Sequence, residues 1–87
     1  MKPIRVLLVD DHAILREGIR YLLSASGEVE VVGEAQDGLE ALEMVEQLKP
    51  DAVLMDIAMP RMNGIEATKE LKKRHPDLPV LILSMYD

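Results

Sequence analysis

Apolar residues fall along this chain in two alternating periods. Residues 4–9 (Ile-Arg-Val-Leu-Leu-Val) form a short, nearly all-apolar run, as expected of a strand buried on both faces. The period then changes. Ile14, Leu15, Gly18, Ile19, Leu22 and Leu23 recur at three- and four-residue spacing, which predicts a helix with one apolar face, closed by Gly27. Val29, Val31 and Val32 predict a second strand, and the interrupting Glu28 and Glu30 suit an edge position. Asp37 followed by Glu40 has capping-box spacing. It opens a second helix carrying Leu39, Leu42, Val45 and Leu48, which Pro50 ends. Residues 52–57 predict a third strand. Asn63 with Glu66 repeats the capping spacing and opens a third helix, with Ile65, Ala67 and Leu71 inward and Pro76 as its stop. Val80 to Leu83 predict a fourth buried strand.

Four strands separated by three helical crossovers predict an α/β fold: a parallel sheet with helices on its faces. In such sheets functional groups gather at the carboxyl ends of the strands, near the point where strand order reverses. Asp10, Asp11 and His12 follow strand one there, and Gly33, Glu34 and Ala35 follow strand two. Asp56 ends strand three and Ser84 ends strand four.

Composition narrows the chemistry. The 87 residues suffice for one domain, and no linker divides them. Sixteen acidic against ten basic side chains give a net charge of −6, which argues against this segment gripping nucleic acid. The absence of cysteine excludes disulfides, thiolate metal sites and cysteine nucleophiles. No apolar run approaches the length of a membrane span, and the N-terminus does not resemble a signal peptide, so a cytoplasmic location is expected.

Three close carboxylates repel one another unless a proton or cation intervenes. Hard oxygen donors suit Mg²⁺, which binds through one or two carboxylates and phosphate oxygens. An Asp beside it can act as a nucleophile toward phosphorus. A hydroxyl such as Ser84 can then bond a phosphoryl oxygen. The plainer alternative is that Asp10 or Asp11 caps the first helix and Ser84 satisfies a loop. Asp56 is harder to read as structural, because it closes the apolar run Ala-Val-Leu-Met and a carboxylate there is costly unless it faces a site. His12 and His75 lie far apart and lack zinc-ligand spacing. No glycine-rich nucleotide loop is present. The basic run 72–75 reads as a solvated helix end.

Val9-Asp10-Asp11, Met55-Asp56-Ile57-Ala58-Met59-Pro60 with Gly64, and Leu83-Ser84 together resemble the receiver domain of bacterial two-component response regulators. The stretch 10–18 and Gly33-Glu34-Ala35 before Asp37-Gly38 resemble its NarL/FixJ-like subfamily. The resemblance implies a flavodoxin- and CheY-like sheet of order 2-1-3-4 over the four strands present. It implies Asp56 as phosphoacceptor, and Mg²⁺ held by Asp11, Asp56 and the backbone carbonyl of Ala58, with Asp10 acting through a water. Ser84 would be the switch hydroxyl, and Pro60 and Gly64 would shape the loop after strand three, Gly64 through positive φ or close packing. A sensor histidine kinase would donate the phosphoryl group. DNA would be met only through an output domain outside this chain. The family catalyses only its own phosphoryl transfer and dephosphorylation, so no separate enzyme activity is expected.

Against that family pattern, residues 1–87 correspond to the N-terminal portion of a receiver. The fourth helix, the fifth strand and the fifth helix are missing, and with them go a lysine that contacts the phosphoryl group and a switch aromatic. Strand four then becomes an apolar edge, which predicts a homo-oligomer paired through it. The alternative to a working receiver is a folding or oligomerisation fragment without phosphotransfer competence. A flavodoxin-like cofactor binder shares the architecture, but it would need a hydroxyl- and glycine-rich phosphate loop after strand one, where Asp-Asp-His would repel a phosphate unless a cation mediates.

Overall fold

The computed structural model describes residues 2–56 and 62–83. Its elements run β1 (Ile4–Val9), α1 (Ala13–Ala25), β2 (Val29–Ala35), α2 (Gly38–Leu48), β3 (Ala52–Asp56), α3 (Gly64–Arg74) and β4 (Val80–Leu83). The sheet is parallel with order β2-β1-β3-β4. From β1 the chain steps one way to β2, then back across β1 to β3 and onward to β4. Right-handed crossovers with that reversal put α1 on one face and α2 and α3 on the other. The reversal lies between β1 and β3, so their carboxyl ends, Val9 and Asp56, flank the switch point.

The two faces are unequally filled. Leu7, Val9, Val53 and Met55 join Ala41, Leu42 and Val45 of α2 and Ala67 and Leu71 of α3 in one buried cluster. Val6 and Leu8 point to the other face and are buried as well. Yet no residue of α1 is buried. Leu15, Ile19 and Leu23 are half-buried, while Ile14, Tyr21 and Leu22 are 86%, 75% and 71% exposed, so only half of the helix's apolar stripe meets the sheet.

Several details differ from the sequence expectation. β2 runs on to Ala35, because pairing with β1 jumps from Val6↔Val31 to Leu7↔Gly33 and leaves Val32 as the extra residue of a bulge. Gly33 and Glu34 are therefore strand residues rather than a rim loop. Ile65 is 52% exposed instead of inward. At about 100° per residue it lies nearly opposite Ala67, whereas Gly64, Ala67 and Leu71 share the buried side. Gly64 has no positive φ; it is the buried first residue of α3. β4 is only partly buried, with Leu81 57% and Ile82 39% exposed, as befits an edge.

The helix ends show why the elements stop where they do. Asp37 and Asn63 accept the backbone N–H of Glu40 and Glu66, each at 2.9 Å. Glu40 returns its carboxylate to the N–H of Gln36, one residue earlier than a standard capping box. α2 ends before Pro50, at Lys49, whose φ of 49° is left-handed. The Arg5 guanidinium reaches across from β1 and donates to the carbonyls of Leu48 and Lys49, both at 2.8 Å, supplying the cation this helix end lacks. α1 closes with Gly27 at φ 75°, a conformation that favours glycine. No described helix is long and apolar enough to cross a membrane.

Candidate metal and phosphoryl site

Asp10 leaves β1 with its N–H donated to the Ala35 carbonyl at 3.0 Å, which fixes the strand end against β2. Its carboxylate is buried and accepts the His12 N–H at 2.8 Å. The capping reading of Asp10 is therefore partly right. His12, the first flanking residue of α1, makes no side-chain cap of its own. Asp11 is more exposed, with its side chain 29% accessible. Asp56 closes β3, buried, in register with Leu83 of β4.

The topology brings these groups together. One ligand atom each from Asp10, Asp11, His12 and Asp56 lies within 4.8 Å of the others. Among the described residues the only ion pairs of Asp10 and Asp11 are with His12, whose Nδ1 is 3.1 Å from Asp10 Oδ1 and 3.0 Å from Asp11 Oδ1. The hydrogen bond to Asp10 and the charge of Asp11 raise the His12 pKa above its ordinary 6.5. The contribution of this contact to stability is thus fully present below about pH 6.5 and is lost as pH rises through the raised value. An NMR titration of the exposed ring is expected to give a midpoint above 6.5, moved downward by Asp10→Asn. An unshifted midpoint would contradict the contact.

Arg16 is a positioning group that sequence reading did not single out. It donates from Nη1 to the Asp10 carbonyl at 2.7 Å, while its Nε faces Glu34 at 3.3 Å. Arg20 faces the other oxygen of Glu34 at 3.2 Å. Glu34 therefore serves two arginines of α1 and not the acidic cluster. The signal available was charge alone: an arginine one helical turn beyond the acidic loop. His75 lies elsewhere, paired with Glu46 at 2.8 Å. Ser84 and Ala58, expected as switch hydroxyl and carbonyl ligand, lie outside the described residues, as does Pro60.

The donor set fits a small hard cation. It offers carboxylate oxygens on one rim, two of them from buried residues whose like charges a bound cation would offset.

Comparison with known proteins agrees with this geometry. Residues 6–87 match the family described as response regulator receiver domain. The chain is 48% identical over 84 residues to the transcriptional regulatory protein DegU of Brevibacillus brevis, covering 97% of this chain and 36% of that protein. It is 46% identical over 83 residues to a protein-glutamate methylesterase/protein-glutamine glutaminase of Pyrococcus horikoshii, covering 95% of this chain and 22% of that one. The structure of the receiver domain of the putative response regulator NarL from Mycobacterium tuberculosis superposes with a TM-score of 0.93 at 40% identity, over 100% of this chain and 70% of that one. The chain thus spans well under half the length of these two curated relatives.

Proposed function

This chain belongs to the response regulator receiver domain family, and from that premise we propose that Asp56 accepts a phosphoryl group from a histidine kinase with the help of Mg²⁺. The observation that supports this most is the convergence of Asp10, Asp11 and Asp56 at the switch point of the sheet. A carboxylate oxygen of Asp56 forms the new P–O bond as the donor's P–N bond breaks, and the electron pair leaves with the imidazole nitrogen of the kinase. Bound Mg²⁺ would supply neutralisation of the charge on the transferring group. Asp11 and Asp56 would hold it directly, together with the carbonyl of Ala58, and Asp10 would act through a water. Burial of Asp56 at the end of β3 orients its carboxylate, and the Arg16 bond to the Asp10 carbonyl holds the β1–α1 loop beside it. Ser84, next after β4, is in sequence position to bond the phosphoryl oxygens.

The output we propose is transcription control through a DNA-binding domain, in line with the likeness to DegU and to the NarL/FixJ-like subfamily. The near-equal identity to a methylesterase shows that this portion of the fold is shared with other outputs. A cytoplasmic location follows from that role. No activity on a separate substrate is proposed.

Native mass spectrometry of the chain with Mg²⁺ and a small phosphodonor tests this reading. One added phosphoryl group, dependent on Mg²⁺, is expected. Because Leu81 and Ile82 leave β4 an apolar edge, dimers joined through β4 are expected in the same spectrum. An unmodified chain with its fold intact would instead favour a folding or oligomerisation unit without phosphotransfer.

A further inference from the structure

We infer that His12 is a metal ligand of the acidic site and gives it a selective affinity for divalent transition ions such as Ni²⁺. This rests on the reading of Asp10, Asp11 and Asp56 as a metal site. Neighbouring donors around a six-coordinate ion with bonds of about 2.1 Å stand about 3.0 Å apart, and opposite donors about 4.2 Å apart. His12 Nδ1 is 3.0 Å from Asp11 Oδ1 and 3.1 Å from Asp10 Oδ1, which matches the neighbouring spacing. The donor atoms of Asp10, Asp11, His12 and Asp56 all lie within 4.8 Å, so a small contraction places those of Asp11, His12 and Asp56 on one coordination sphere, with Asp10 reaching it through a water.

The backbone from which the ring projects is held in place. The His12 N–H is bonded to Asp10 Oδ1 at 2.8 Å, and its carbonyl accepts the Arg16 N–H at 2.9 Å. Among the described residues the nearby Arg16 guanidinium does not compete, because it is engaged by the Asp10 carbonyl and Glu34. Mg²⁺ prefers oxygen donors and retains its waters, so an imidazole adds little to its binding. Imidazole suits Ni²⁺, Cu²⁺ and Zn²⁺, for which the carboxylates of Asp11 and Asp56 with one ring nitrogen form a stronger set.

The decisive measurement is calorimetric titration of the whole chain with Ni²⁺ and with Mg²⁺ at about pH 8, above the ordinary imidazole range. Loss of a direct ligand should matter at least as much as loss of an outer-shell partner, which typically costs 10–100-fold, so His12→Gln is expected to weaken Ni²⁺ by about tenfold or more. Mg²⁺ affinity should stay essentially unchanged. Asp56→Asn should weaken both ions, and His75→Gln neither. In the Ni²⁺ complex, a strongly shifted exchangeable imidazole proton should appear in the NMR spectrum, persist in His75→Gln and vanish in His12→Gln. His12 is exposed, so the variant is expected to fold, and circular dichroism checks this. Mg²⁺ binding that needs Asp56, with Ni²⁺ binding indifferent to His12, would overturn this inference alone. An equal loss for both ions in His12→Gln would also overturn it. Failure of both ions to bind the unaltered chain would overturn the metal-site reading and the role of His12 with it.

Discussion

In Mg²⁺-free buffer, Asp56→Asn is expected to melt about 5–10 °C above the unaltered chain, a gain of about 1–2 kcal/mol. Asp56 and Asp10 are both buried, and their carboxylates share a cluster spanning less than 4.8 Å with Asp11. Two unit charges at that separation repel by roughly 3–4 kcal/mol at an effective dielectric of about 20. The pairs that His12 makes with Asp10 and Asp11, and a further interaction of Asp56 itself, offset part of this. Asparagine keeps the shape and loses the charge, so the remaining repulsion is relieved, minus what a less well-matched amide gives up. Saturating Mg²⁺ should shrink the difference, because the unaltered site then gains a cation that the variant binds less well. Thermal melts with and without Mg²⁺ measure both effects. A lower melting temperature for Asp56→Asn in the absence of metal would mean that Asp56 stabilises the fold, and that stability has not been given up for function at this rim.

Gly38→Ala is expected to act in the opposite direction, with a loss of about 2–3 kcal/mol from overpacking. A Cβ at Gly38 would lie 2.6 Å from the Met62 carbonyl oxygen and 2.7 Å from Met62 Cγ. The carbonyl is backbone, and it also accepts the Gly38 N–H at 3.1 Å, so it cannot move without breaking that bond. The contact ties the start of α2 to the residues that lead into α3. Disrupting it also disturbs the buried Asp37 cap one residue before. Gly18 provides the internal comparison. No atom lies within 4 Å of a Cβ there, and the position is exposed inside α1, so Gly18→Ala should stabilise by about 0.5–1 kcal/mol. Denaturant unfolding of the two variants decides this; equal effects would show that close packing at Gly38 is not what requires glycine.

What could be read in the sequence followed the strength of the local signal. β1 is bounded by its apolar run, and Asp37 and Asn63 mark their helix starts through a chemistry that is local. The alternation of strands and helices predicts the parallel sheet and a functional rim at its carboxyl ends, while the order 2-1-3-4 that sets Asp10, Asp11 and Asp56 together is what the family resemblance implies. Long-range features were less legible. The far half of β2 was hidden because Gly33 and Glu34 carry no strand signal and a bulge at Val32 breaks the period. Pro50 marks the end of α2 in the sequence, but the left-handed turn at Lys49 and the Arg5 cap, reaching over from β1, are what end it. The apolarity of Ile65 predicts an inward position, although its angle around the helix points it away from Ala67. His12 lacked zinc-ligand spacing along the chain, yet folding sets its ring among three carboxylates. Arg16 could not be connected to Asp10 before the turn between them was known.

The central claim is that Asp56 is the phosphoacceptor, and trapping the product tests it most directly. The chain is treated with Mg²⁺ and a small phosphodonor, then with borohydride, which reduces an aspartyl phosphate to homoserine, and is mapped by peptide mass spectrometry. Homoserine at position 56, absent without Mg²⁺ and absent in Asp56→Asn, is the predicted result. Reduction at Asp10 or Asp11, or no reduction at any carboxylate of a folded chain, would contradict it.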